Sequence, residues 1–323
     1  MNNTITAKET AEWLKSNDNY LILTHRRPDG DTVGCAGALA QGLREIGKTA
    51  YVLQNPEITP RYAKYYADYL APQDFKHDHT IIVDTASCAL FPKNGDEYVD
   101  SISLSIDHHQ SNTMYAKLTC LDTSAASCGE VIYEILIELA GKISAESAKC
   151  IYVAVSCDTG CFSFANTTAN TLRVASLAVE AGAPHVKINR ILFRTKSHAR
   201  IKIEGMINAK LEFHFNGKVA ISAITGEMMQ AAGATEDDVD DISNIPGSVS
   251  GVLCGITLRE LSSPSDCKGS IRTSPSVDAN AIAGHFGGGG HAMASGFAQD
   301  KPIPEVKAKL VEVLKNFFPA DGQ

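Results

Sequence analysis

The sequence predicts an α/β protein in two parts: a parallel sheet with helices on both faces, then a smaller α+β domain. Three observations carry that prediction. Through the first 186 residues, short apolar β-branched runs alternate with stretches of helical spacing, as strand–helix–strand units do. Four apolar runs, Tyr20–Leu23, Thr80–Val83, Ile102–Ile106 and Ile151–Cys157, are each followed within two residues by Asp or His. In an open α/β sheet, ligands collect at the carboxyl ends of the strands. From about Met206 the pattern changes to closely spaced strand-like segments.

Taken in order, Ala7–Lys15 reads as an amphipathic helix and Tyr20–Thr24 as a buried strand. Thr32–Gly47 is rich in Ala and Leu and stops at a glycine, a helix signature. Its predicted start follows Asp29-Gly30-Asp31, so carboxylates crowd a helix N-terminus, where the dipole favours negative charge. Ala50–Leu53, Thr80–Val83 and Ile102–Ile106 read as further strands. Ser127–Ala140 spaces Val131, Ile135 and Leu139 as a helix does, Ala145–Cys157 is a helix that feeds Asp158, and Thr168–Gly182 is a third. Lys187–Lys202, with six basic residues, reads as a linking segment. Beyond it, Lys210–Phe215, Lys218–Ile224, Val252–Leu258 and Cys267–Thr273 read as strands, and Glu227–Ala232, Val277–Phe286 and Pro304–Phe317 as helices. The expected division is therefore a catalytic domain over 1–186, a linker over 187–205 and a second domain over 206–323.

Composition narrows the function. With 44% apolar and 20% charged residues, the 323-residue chain can bury two ordinary cores. A net charge of −8 argues against a protein that wraps long nucleic acid. The nine cysteines form no C-x-x-C pair, and several sit in apolar runs as small hydrophobes. Cys157-x-x-x-Cys161 is read as structural. With no secretory signal and no membrane-length apolar segment, a cytoplasmic, reducing location and no membrane contact are expected.

Asp29, Asp31, Asp84, Asp107 and Asp158 bring five negative charges that would repel strongly in one cleft. Two divalent cations would offset most of that charge, and carboxylates with one or two imidazoles suit Mn2+ or Mg2+. Two metals roughly 3.5–4 Å apart form a clamp for in-line attack on phosphorus, holding and acidifying a bridging water. An Asp such as Asp84, taken alone, is more often a helix cap or turn residue than a ligand, and His25 alone reads as a core histidine. His-x-x-Pro-Asp-x-Asp followed by Asp-His-His is far less easily structural.

These segments resemble the DHH phosphoesterase family, whose signature is His-x-x-Pro-Asp-x-Asp, Asp, Asp-His-His and Asp. Here the matching residues are His25, Asp29 and Asp31; Asp84; Asp107, His108 and His109; and Asp158. The likeness spans most of the chain. The second half resembles the DHH-associated domain through Gly269-Ser270-Ile271-Arg272-Thr273, Gly287–Gly290 with His291, and Ala294-Ser295-Gly296. The resemblance implies one Mn2+ held by His25, Asp29 and Asp84 and a second by Asp31, His108 and Asp158, with Asp84 bridging and Asp158 near both. It implies Asp107 and His109 as residues that orient ligands or touch the phosphate, and no ligand is missing.

The consecutive glycines have a reading of their own: without Cβ atoms, Gly288, Gly289 and Gly290 let the backbone approach an anion, with His291 as a further donor. A tight turn is the alternative. Arg272 on its strand can fork onto a phosphate or sit on an ordinary surface strand; the resemblance makes both segments substrate-binding. The expected mechanism has the first domain cut and the second hold one end of a short substrate, closing about Lys187–Lys202. Within the family, the two-domain layout resembles enzymes that hydrolyse short oligoribonucleotides and remove the 3′-phosphate of 3′-phosphoadenosine 5′-phosphate (pAp). A phosphodiesterase for cyclic di-AMP or pApA is the near alternative, and a non-catalytic nucleotide-binding regulator the rival from another class. A single-strand DNA exonuclease would want a positive track that this chain lacks. A homodimer is left open.

Overall fold

The computed structural model describes residues 4–239, 242–261 and 263–319. The chain divides into two units, one running to Thr195 and the other starting at Lys196. The first unit contains α1 (Ala7–Ser16), β1 (Tyr20–Leu23), α2 (Gly30–Glu45), β2 (Ala50–Val52), α3 (Pro60–Ala63), β3 (His79–Val83), β4 (Ile102–Asp107), β5 (Leu118–Leu121), α4 (Cys128–Ala140), α5 (Ala145–Asp158), α6 (Ala169–Glu180) and α7 (His185–Asn189). Its five strands are all parallel, in the order β2-β1-β3-β4-β5. Chain order therefore reverses between β1 and β3, and such a reversal opens a crevice at the carboxyl edge of a sheet.

Both faces of this sheet are buried, which is why β1, β3 and β4 read as continuous apolar runs. The helical cover expected on both faces is distributed unequally. Tyr20, Ile22, Ile81, Val83, Leu104 and Ile106 pack with α1, α2, α4, α5 and α6 in one large core. Leu21, Leu23, Ile82 and Ile102 are covered by Phe91, Ala116 and partly buried Leu53, Phe75 and Tyr115, from loops and strand ends. The aromatic residues in these connections close the second face without a long helix.

Helices α2 and α5 approach each other closely, and glycines permit it. A Cβ on Gly30 would lie 2.1 Å from the Cys157 Sγ, and one on Gly34 would lie 2.5 Å from the Cys150 carbonyl oxygen. The glycine of Asp-Gly-Asp is thus required by packing.

The second unit contains α8 (His198–Ala209), β6 (Glu212–His214), β7 (Val219–Ile224), α9 (Gly226–Ala232), β8 (Cys254–Glu260), β9 (Cys267–Thr273), α10 (Ala279–Gly284), β10 (Gly289–His291), β11 (Ala294–Gln299) and α11 (Ile303–Leu314). Its mixed sheet runs β10-β11-β9-β8-β7-β6, with only β7 and β8 parallel. One face packs Val219, Ile256, Ile271 and Phe297 against α10 and α11, and the other packs Ile224 against Ile203, Ile207 and Met228. The basic segment read as a linker is largely helical: α7 continues into a π-helical turn over Arg190–Arg194, and α8 begins at His198. Among the described residues, no helix is long and apolar enough to cross a membrane.

Candidate metal centre

The strand ends and one helix end deliver the predicted residues of the first unit to one place. Asp29 caps α2, its Oδ1 accepting from the amides of Asp31 (2.9 Å) and Thr32 (3.3 Å). The His25 Nδ1 lies 2.8 Å from the Arg26 carbonyl oxygen, which turns Nε2 inward to 3.6 Å from Asp29 and 3.7 Å from Asp84. His108 is oriented the same way: its Nδ1 meets the Ala125 carbonyl at 3.1 Å. Its Nε2 then lies 3.5 Å from Asp84, 3.5 Å from Asp158 and 3.9 Å from Asp31.

These separations are too long for hydrogen bonds and short enough for each pair to share a cation. Three sets of donor atoms lie within 4.8 Å of one another: His25, Asp29 and Asp84; Asp31, His108 and Asp158; and Asp84, His108 and His109. Asp84 joins the first and third sets, and His108 joins the second and third. The Asp84 Oδ1 is buried and has no hydrogen-bond partner, a costly condition that a bound cation would relieve. Asp84 also sits at φ 54°, held there by its amide donating to the Ile106 carbonyl at 2.8 Å. Strain of this kind persists where the surroundings impose it, commonly at functional sites.

Electrostatics gives the same picture. Burial first, then the charge of Asp31, pushes the Asp84 carboxyl well above its usual range. Burial, followed by Asp31 and Asp29, pushes Asp158 up to about 8. Burial also raises Asp31, with Asp29 adding to it against the pull of His108. Burial acts against charge on His25 and Asp29 too, but their mutual contact outweighs it, raising the imidazole and lowering the carboxyl. A site that holds three carboxyls against ionisation is a site short of positive charge, and divalent cations suit the donor set.

Asp107 is placed differently from the other acids. Its Oδ1 accepts from the His109 Nδ1 (2.7 Å) and the His108 amide (2.8 Å), and its Oδ2 from the Asn112 Nδ2 (2.6 Å). These bonds, led by the one to His109, hold its carboxyl below the usual range against burial. Both oxygens are occupied, so Asp107 orients His109. Sequence reasoning missed the partners that aim the acids. Asp31 accepts from the Ser127 hydroxyl (2.9 Å), the Cys128 amide (2.8 Å), the Gly129 amide (3.1 Å) and the Cys35 thiol (3.2 Å). The only available signal was Ser127 as a helix cap, which says nothing of a carboxylate 96 residues earlier.

The remaining predicted residues lie in the second unit. Arg272, on β9, is partly buried, makes no ion pair among the described residues, and donates to the Ile271 carbonyl at 3.0 Å. Burial lowers its pKa. The glycine run is not an open cradle: Gly289–His291 form an edge strand paired with Ala294–Gly296. The Gly288 amide donates to the Ala283 carbonyl and the Gly290 amide to the Asn280 Oδ1, each at 3.0 Å. A Cβ on Gly288 would lie 2.2 Å from the Gly296 carbonyl oxygen, so hairpin packing requires that glycine. His291 is exposed.

Carboxylates and imidazoles gathered at the carboxyl edge of a parallel sheet suit divalent-cation chemistry on phosphate esters, and the protein is a metal-dependent phosphoesterase. Comparison with known proteins gives the particular family. The N-terminal domain of the DHH family matches residues 19–155, and the DHHA1 domain matches residues 216–319. The bifunctional oligoribonuclease and PAP phosphatase NrnA of Thermus thermophilus is 31% identical over 288 residues, covering 88% of this chain and 86% of that protein. The protein of the same name from Bacillus subtilis is 28% identical over 285 residues, covering 86% and 88%. The crystal structure of an exopolyphosphatase-related protein from Bacteroides fragilis matches with a TM-score of 0.87 at 23% identity, covering 97% of both chains. That of exonuclease RecJ bound to manganese matches with a TM-score of 0.51 at 15% identity, covering 98% and 95%. The last two are likenesses of fold. The chain belongs to the DHH family.

Proposed function

We propose that this enzyme hydrolyses short oligoribonucleotides to mononucleotides and removes the 3′-phosphate of pAp, using two Mn2+ ions. The observation that carries the reading is the overlap of donor sets around the orphaned Asp84 oxygen; the names of the relatives supply the substrate class. His25, Asp29 and Asp84 would hold one ion and Asp31, His108 and Asp158 the other, with Asp84 shared. Bound there, the ions would supply an acidified water and offset charge on the phosphate.

The chain's own groups do the rest. The Ser127–Gly129 donors fix Asp31, and the carbonyls of Arg26 and Ala125 fix the rings of His25 and His108. Ionised Asp107 keeps a hydrogen on the Nδ1 of His109 and leaves its Nε2 to meet a phosphate or leaving oxygen. In the second unit, Arg272 and His291 would hold the nucleotide, Arg272 through a charge-assisted fork. The same reading places the enzyme in the cytoplasm, with sedimentation velocity deciding between monomer and homodimer.

The test is a kinetic panel of pAp, pApA, cyclic di-AMP and di- to pentaribonucleotides, with Mn2+ and after chelation. Turnover of pAp and the short RNAs, abolished by EDTA, is expected. Preference for cyclic di-AMP or pApA would move the assignment to a dinucleotide phosphodiesterase. Tight nucleotide binding without any turnover would make the protein a regulator.

A further inference from the structure

The loop after Asp158 has a construction that the metal centre does not explain. Gly160, Cys161 and Phe162 take left-handed φ values of 55°, 55° and 65° in succession. Two of the three carry side chains, so the turn is strained and must be held in place. Thr159 holds it: its hydroxyl accepts from the Phe162 amide (3.1 Å), and its carbonyl from the amides of Ser163 (2.9 Å) and Phe164 (3.0 Å). The far end is tied back by Asn166, whose Nδ2 donates at 3.1 Å to the carbonyls of both Asp158 and Ala126. The loop thus runs from a metal-site acid to the segment that orients His108, bordering the cluster.

The turn sends its two phenylalanines to different places. Phe162 enters the core against Tyr152 at 5.8 Å between ring centres. Phe164 lies over Gly160, where a Cβ would meet its ring at 2.4 Å, and remains 50% exposed. Single exposed apolar residues are ordinary. This one is a rigid ring on a strained turn, seated on a glycine and six residues past a cluster acid.

We infer that Phe164 is a stacking platform for a nucleobase of the substrate, a specificity residue that favours nucleotides over phosphate esters lacking a base. The inference rests on the oligoribonucleotide reading above and deepens it. Every base has a π face, so stacking holds a nucleotide with little regard to sequence, as an enzyme for mixed short RNA needs.

The experiment compares wild type, Phe164→Ala and Phe164→Trp on 5′-phosphorylated diribonucleotides and on the same dinucleotides with an abasic residue at either position. Phe164→Ala is expected to lower kcat/KM on intact dinucleotides by roughly ten- to a hundredfold, mainly through KM. It should leave turnover of one abasic analogue unchanged, and Phe164→Trp should restore activity. The abasic analogue that wild type handles as Phe164→Ala does identifies the stacked base. Equal losses on intact and abasic substrates, or no loss on either, would overturn the inference. Wild type inactive on every dinucleotide would instead sink the oligoribonucleotide reading itself.

Discussion

Replacing Gly34 by alanine tests whether the α2–α5 contact sets the metal centre. Gly34 lies inside α2, where alanine is intrinsically favoured over glycine by roughly 0.5–1 kcal/mol. Packing opposes that preference. A Cβ at this position would lie 2.5 Å from the Cys150 carbonyl oxygen, 2.8 Å from the Ala154 amide nitrogen and 2.9 Å from the Ala154 Cβ. Two of these are backbone atoms, so no rotamer relieves the clash and the helices must separate. Overpacking of this kind typically costs about 1–3 kcal/mol, and backbone contact belongs at the upper end, leaving a net loss of about 1–2 kcal/mol. Function should suffer more than stability, because α2 carries Asp31 and α5 ends on Asp158, both facing the His108 Nε2. A displacement on the order of 1 Å can cost about a hundredfold in rate. Trp13, the sole tryptophan, packs on Tyr20 and His79, so its fluorescence in urea reports the first unit. Mn2+ affinity is followed by calorimetry. Gly205→Ala is the control: nothing lies within 4 Å of a Cβ there, and this change in α8 should stabilise by roughly 0.5–1 kcal/mol, read by circular dichroism. Gly34→Ala with wild-type stability and Mn2+ affinity would refute the reasoning.

The remaining predictions concern charge. Asp84→Asn should lower turnover by more than about a hundredfold and weaken Mn2+ binding, since even residues that only orient a ligand cost about 10–100-fold; retained activity would overturn the shared-ligand assignment. Arg272→Ala should raise KM for pAp by roughly tenfold or more with kcat little changed, as expected for a lost charge-assisted bond; a fall in kcat at constant KM would contradict a holding role. In the chelated protein, Asp158 titrates near 8 and Asp84 is raised in the same direction, so the fold keeps protons that the unfolded chain has lost above its ordinary 3.8. Their contribution is fully present below about pH 4 and is lost as pH rises through the folded value. His25, also raised, acts in the same sense, while the lowered Asp29 and Asp107 have finished titrating by pH 5. The melting temperature in EDTA should therefore fall between pH 5 and 8.5, and Mn2+ should restore it most at the alkaline end; a rise over that interval without metal would count against the buried cluster.

What could be read from the chain depended on where each residue's partners lie. β1, β3 and β4 were legible because both of their faces are buried, and the acids and histidines because each follows its own strand or helix. Strands β5, β10 and β11 were not foreseen: Leu-Thr-Cys-Leu is four residues long, and the last two are rich in glycine, alanine and serine, with no apolar alternation to read. α8 was hidden by its basic residues, although Ile203 and Ile207 stand at helical spacing on its buried side. At the site, the motif named the side chains and left their aim unspecified. Asp31 is directed by donors 96–98 residues away, and Gly30 by a cysteine on α5, neither of which local pattern can supply. Asp84 and Asp107 make the point most sharply. Both are buried aspartates ending adjacent parallel strands, yet one has every oxygen bonded and the other keeps an orphan oxygen. Their difference in role comes from Asn112 and the tilt of His109, five and two residues downstream of Asp107, which no comparison of the strand ends alone would separate.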